Sequence, residues 1–200
     1  MQRSLIFRKG LRYLLAWSLF FIAAIGVRPQ GTLWFNNFVP GKVVAPVFLP
    51  DGSRVSGPNY VIQLYAGSVG TDLLRLTAMG PPVMFGQREF LGYIEPNQDL
   101  LRVIPFAGSG ERVWLHPRVW DSALGQTLED FISQNPQGIV AYPTIFEITL
   151  GDFSAPAYMN HLSPFNWHPV ATLIPEPQSW VLLLAGFSVV AFVRYLRCLF

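Results

Sequence analysis

Hydrophobic and polar positions follow two different patterns along the chain. Uncharged apolar runs occupy 13–27 and 178–193, and between them apolar positions recur in short stretches broken by turn residues. In YVIQLY, residues 60–65, Ile62 and Leu64 alternate with Val61, Gln63 and Tyr65, the period of two that a pleated strand imposes. Further strand-like runs fall at 32–35, 43–48, 83–85, 90–94, 101–104, 112–120 and 145–150. Pro50-Asp51-Gly52-Ser53 supplies strong turn chemistry, and Ala66-Gly67 ends the run at 60–65. Pro81-Pro82 restricts 83–85 to an edge strand or a strand start. One helix is expected over 127–133, with Thr127 and Asp130 at capping-box spacing and Pro136 and Gly138 stopping it. No fixed-period repeat is present, which argues against a solenoid or propeller. The pattern predicts an all-β fold: a sandwich-like β-domain over 31–174 with one short helix, flanked by an N-terminal signal helix and a C-terminal transmembrane helix.

The two ends have the grammar of targeting segments. Arg3, Arg8, Lys9 and Arg12 form a positive region ahead of the apolar run, with Ala24 and Gly26 placed for cleavage after Gly26. This is the three-part pattern of a signal peptide over 1–30, read by the Sec translocation machinery; an uncleaved anchor is the alternative. The run 178–193, QSWVLLLAGFSVVAFV, carries no charge and is followed by Arg194 and Arg197. As a helix it would be about 24 Å long at ~1.5 Å per residue, extended by Tyr195 and Leu196 toward the ~30 Å hydrocarbon core. Basic residues beyond each apolar run put both termini on the cytoplasmic side, with Arg194 and Arg197 as the basic stop-transfer pair. The middle then lies across the membrane.

Immediately before the second run stand Pro175, Glu176 and Pro177. Two prolines keep this strip out of helix and present it extended at the membrane surface. Pro-Glu-Pro, an apolar helix and terminal arginines together resemble the PEP-CTERM sorting tail of bacterial exported proteins, here over 175–200. The resemblance implies recognition by an exosortase, a membrane-embedded cysteine protease-transpeptidase, with removal of the helix and transfer to the envelope or release. The stretches FNNFVPGKVVAPVFLPDG (35–52), NYVIQLYAG (59–67), VWDSALGQTLEDF (119–131) and FEITLG (146–151) are similar to a domain of uncharacterised exported proteins with the same tail. That likeness implies a β-rich exported module and brings no activity with it. An exopolysaccharide is the partner the family resemblance suggests.

Composition sharpens this picture by exclusion. The chain is 51% hydrophobic and only 13% charged, against roughly 25% charged in ordinary soluble domains. Residues 31–174 hold seven basic against eleven acidic residues, a net of −4, so no nucleic-acid partner is expected. The single cysteine, Cys198, lies in the tail, leaving no disulfide framework and no cysteine-ligated zinc in the domain. His116, His161 and His168 lack metal-ligand spacing, and no nucleophile elbow, phosphate loop or dinucleotide fingerprint occurs. Gly67-Ser68-Val69-Gly70 has the wrong glycine spacing for an elbow. Asp121, Glu129 and Asp130 are the nearest approach to a glycosidase-like carboxylate group, a clustering that eleven acids produce by chance. The expectation is therefore no enzyme, no cofactor and no metal.

Aromatic residues are the more informative excess. A strand over 112–120 places Trp114, His116, Arg118 and Trp120 on one face and Val113, Leu115 and Val119 on the other. Trp114, His116 and Trp120 are thus the candidate ligand-binding residues, a face able to stack on sugar rings. The competing reading, preferred here, puts Trp114 and Trp120 inside a core, with Pro117 breaking the strand. Taken together, the sequence points to an exported structural or interaction protein of the cell envelope or extracellular matrix. A carbohydrate-binding surface module and a permanently membrane-anchored surface protein are the alternatives.

Overall fold

A computed structural model describes residues 30–173 as a mostly β fold with several antiparallel sheets and one short helix. The sorting motif Pro175, Glu176 and Pro177, the apolar runs at 13–27 and 178–193, and Arg194 and Arg197 lie outside the described residues.

Two long strands organise the molecule. β4 (Tyr60–Ser68) and β8 (Arg112–Asp121) pair antiparallel over nine positions, from Tyr60 opposite Asp121 to Ser68 opposite Val113. Beyond β8 lie β10 (Phe146–Thr149) along its first half and β9 (Ile139–Tyr142) along its second, with β12 (Asn166–Pro169) outside β9. The free side of β4 takes two-residue edges, β5 (Thr77–Ala78) and β6 (Val83–Met84). A second sheet sets β1 (Gln30–Trp34) between β7 (Leu101–Gly108), antiparallel, and β11 (Ala157–Tyr158), parallel. β2 (Phe38–Val39) and β3 (Val43–Val44) form a small hairpin.

Alternation along β4 and β8 feeds two cores. Ile62, Leu64, Ala66, Val113, Leu115 and Val119 join Leu33 and Ile104 of the second sheet in the larger one. Val61, Tyr65 and Trp120 turn the other way and pack with Leu128 and Phe131 of α1 (Leu128–Gln134), Val140, Val170 and Leu173. The helix begins as its sequence suggests: the Thr127 side chain accepts from the Asp130 amide at 3.1 Å, occupying one of the amides a helix start leaves open.

Four expectations need correction. Ala66-Gly67 does not end the run at 60–65: β4 continues to Ser68 because Gly67 stays in the ladder opposite Trp114, with Leu76 and Thr71 packed where its side chain would be. β8 runs unbroken through Pro117. Pro117 stands opposite Leu64, whose carbonyl accepts from Met79 on the far side of β4. Leu64 and Pro117 therefore form a non-hydrogen-bonded pair. The missing amide points instead to the junction between β10, paired as far as Leu115, and β9, paired at Val119. The apolar run 43–48 keeps strand form only over Val43–Val44, because Pro46 interrupts it and Val47 bonds to Gly92. The run 90–94 is mostly turn. Gly92 takes a left-handed φ of 81° and a 3-10 turn occupies Arg88–Phe90, leaving only an isolated bridge between Ile94 and Phe85.

Because both cores are built within 30–173, residues 31–174 expressed alone should fold cooperatively. Circular dichroism should show a β-dominated spectrum with a sharp thermal transition. A helix-rich spectrum or a gradual melt would overturn this.

Candidate functional site

The face of β8 singled out from sequence is one face, but a covered one. Trp120 is 0% exposed; its indole N–H donates to the Gly125 carbonyl at 2.9 Å, and α1 closes over it. His116 is 1% exposed and Arg118 6%, while Trp114 is half-buried. Trp114, His116 and Trp120 therefore do not form an exposed aromatic row.

What lies under the cover is a continuous polar chain. The Arg118 Nε–H donates to His116 Nδ1 at 3.0 Å and its Nη2 to the Leu73 carbonyl at 2.8 Å. Its guanidinium sits 4.1 Å from the Tyr65 ring centre, a cation over a π face. The Tyr65 hydroxyl donates to Gln63 Oε1 at 3.2 Å, and Gln63 Nε2 donates to the Gly80 carbonyl at 2.7 Å. On the other side His116 lies 4.7 Å from Tyr142, which stacks on His168 at 4.1 Å.

This arrangement fixes protonation. His116 Nδ1 is an acceptor, so the imidazole proton sits on Nε2 and bonds the Pro143 carbonyl. Burial, then the Arg118 charge, push the His116 pKa down from 6.5 to about 3, against the pull of the Pro143 bond. Burial also lowers Arg118, opposed by Tyr65 and Glu129, and raises Tyr65. A neutral imidazole held beside a buried guanidinium has both ring nitrogens occupied. Its evident work is to satisfy buried polar groups and hold the sheet to its cover.

The remaining sequence candidates are scattered. His161 is exposed on the wall of a shallow depression with Thr149, Tyr158 and Asn160, and His168 is on the edge strand β12. Asp130 lies in the first turn of α1, with Glu129 beside it, and Asp121 caps the 3-10 turn Ser122–Leu124. Gly67-Ser68-Val69-Gly70 closes β4, Gly70 taking a φ of 89°. Among the described residues no group of three or more His, Cys, Asp or Glu side chains is placed to hold a metal.

A concave site emerges elsewhere, where the β4–β8 ladder ends. Tyr60 and Asp121 are cross-strand partners there. Trp167 from β12 meets Tyr60 edge to face, with centroids 6.1 Å apart and planes at 76°, and its indole N–H is held by the Phe48 carbonyl at 2.6 Å. With Leu124, Phe131 and Ile139 these residues line a cavity of about 190 Å³. Asp121 Oδ1 accepts from the Ala123 amide at 2.9 Å. Burial, then the carboxylates of Asp121 and Asp51, raise the pKa of the Tyr60 hydroxyl. The sequence reading groups Asp121 only with Glu129 and Asp130 and does not join it to Tyr60 or Trp167, because the three lie far apart in the chain. The available signal was an aromatic beginning one long strand and a carboxylate ending another.

Two measurements test the covered face. Trp120→Ala should cost roughly 3–5 kcal/mol in chemical denaturation, as for other deeply buried aromatics, and Trp114→Ala clearly less. Equal losses would mean that the two indoles are equally buried. The depressed His116 pKa means that the unfolded chain binds a proton the folded one refuses. Its stabilising contribution is complete above pH 6.5 and is lost as pH falls toward about 3. Between pH of about 5 and 6.5, above the carboxylate range, stability should fall by up to ~1.4 kcal/mol per pH unit. His116→Gln should flatten that slope; an unchanged slope would mean that another group carries it.

Set against protein-family models, curated proteins and solved structures, the chain finds no match in any of the three.

Proposed function

We propose that the chain is an exported structural or interaction protein of the cell envelope or extracellular matrix, delivered by a PEP-CTERM sorting tail. The observation that carries this reading is Pro175-Glu176-Pro177 directly ahead of an apolar run that ends at Arg194 and Arg197, in a chain that also opens with a basic region and an apolar run. A triplet alone is common. Its place before a C-terminal apolar run, with a signal segment at the other end, gives it meaning. The payload is a sandwich-like β-domain, a reading supported by the larger core, where side chains of both main sheets meet. That core contains no cysteine, so the domain would keep its fold after export under either redox condition. The exosortase-type protease and the Sec machinery are the partners this route requires.

Intact-mass measurement on protein from the native host tests the reading. The mature protein should lack 178–193 and Cys198. Replacing Pro175 and Pro177 with Ala should leave the tail attached, because a helix extended upstream would hide Glu176 in a regular turn. Full retention of 178–200 in a cell with an active sorting enzyme would overturn the sorting reading and leave a permanent anchor.

A further inference from the structure

The cavity at the end of the β4–β8 ladder has a chemistry of its own, independent of how the chain is exported. Its walls are mainly hydrocarbon and aromatic: Trp167, Tyr60 and Phe131, with Leu124 and Ile139 at the rim still 45% and 44% exposed. Two aromatic rings meet there nearly at right angles. The indole is locked by its bond to the Phe48 carbonyl, so this corner is preformed. Asp121 is the one carboxylate in the lining; its Oδ1 serves the Ala123 amide, and Oδ2 has no hydrogen-bond partner among the described residues. No lysine or arginine lines the cavity among the described residues, and residues 31–174 carry a net of −4.

These features discriminate between ligand classes. A sugar would give up water from several hydroxyls against walls that return few hydrogen bonds. An anion would meet Asp121 with no countercharge. A purely apolar ligand would fit the walls but leave the carboxylate unanswered. A cation with a compact apolar coat satisfies both: its positive charge faces Asp121 and the π faces, and its methyl groups fill the hydrocarbon walls. The size agrees, since an apolar cavity of about 150 Å³ holds one benzene ring.

We propose that this cavity binds a compact organic ammonium ion, with Tyr60 and Trp167 as its aromatic walls and Asp121 as the countercharge. The ion is either free or the ammonium end of a zwitterionic phosphocholine group.

Choline tests this against 3,3-dimethylbutan-1-ol, its uncharged isostere, with phosphocholine and glucose as further arms. Binding is followed by ligand-observed NMR on the full chain in a non-ionic polyoxyethylene detergent. Choline should bind saturably and about tenfold more tightly than the isostere. Asp121→Asn keeps the acceptor for the Ala123 amide, so it should erase that preference while leaving isostere binding in place. Trp167→Leu should weaken choline severalfold. Each variant's thermal transition is recorded, and the contrast between choline and its isostere needs no variant at all. Tighter binding of phosphocholine than of choline assigns the zwitterionic source, and the reverse assigns the free ion. Equal affinity for choline and the isostere, saturable binding of glucose alone, or no saturable choline binding would overturn the proposal.

Discussion

The nine-position pairing of β4 with β8 is the constraint on which the rest of the structure depends. Both strands are buried on both faces, so each carries two sets of side chains committed to different cores. A slip of one residue would exchange those sets. Arg118 and His116 would enter the larger hydrocarbon core, and Leu115 and Val119 would face the polar chain of Gln63 and Tyr65. The penalty for a buried unpaired guanidinium far exceeds that of a misplaced aliphatic group. The buried polar residues thus specify register, a role that hydrophobic alternation alone does not perform when both faces are covered. The pairing also joins segments some fifty residues apart, so the central ladder closes only after long stretches of chain are brought together.

A second buried polar residue does similar work in the loop-rich part of the fold. Asn37 is fully buried, donates through Nδ2 to the carbonyls of Ala45 and Gly92 at 2.9 Å each, and accepts from the Ile94 amide at 2.8 Å. One side chain thereby joins the β2–β3 hairpin to the irregular segment around 92–94. It supplies hydrogen bonds that a strand ladder would otherwise have provided. This is why Ala45, Val47, Tyr93 and Ile94 can be buried without lying in regular strands.

Legibility from sequence followed the locality of the signal. The alternation at 60–65, the strand-like run at 112–120 and the Thr127 cap are local patterns; β8 and α1 appear where they place them, and β4 begins with its alternation but runs on through Gly67 to Ser68. β9 has no counterpart in the sequence reading because it is only four residues long and gains its burial from partners elsewhere in the chain. Pro117 misled for a related reason. A proline is harmful to a strand only where its amide is needed, and that depends on which neighbour each edge faces. The site followed the same rule. That Trp114, His116, Arg118 and Trp120 share a face follows from spacing alone. Whether that face meets solvent depends on α1 and the 3-10 turns folding over it, which no local pattern announces.

The register that separates the two cores also builds the cavity. Tyr60 and Asp121 are neighbours only because the ladder is in this register, and Trp167 reaches them only because β12 pairs with β9, with Trp167 opposite Ala141. A ligand held there would contact both strands at one end of the central pairing and the edge strand at once. Since unfolding would scatter all three residues, binding would be selective for the native state. The domain would gain stability as RT ln(1 + [L]/Kd) with free ligand concentration. The cavity and the cores are therefore energetically linked: whatever loosens the end of the β4–β8 ladder weakens the site, and whatever fills the site holds that end closed.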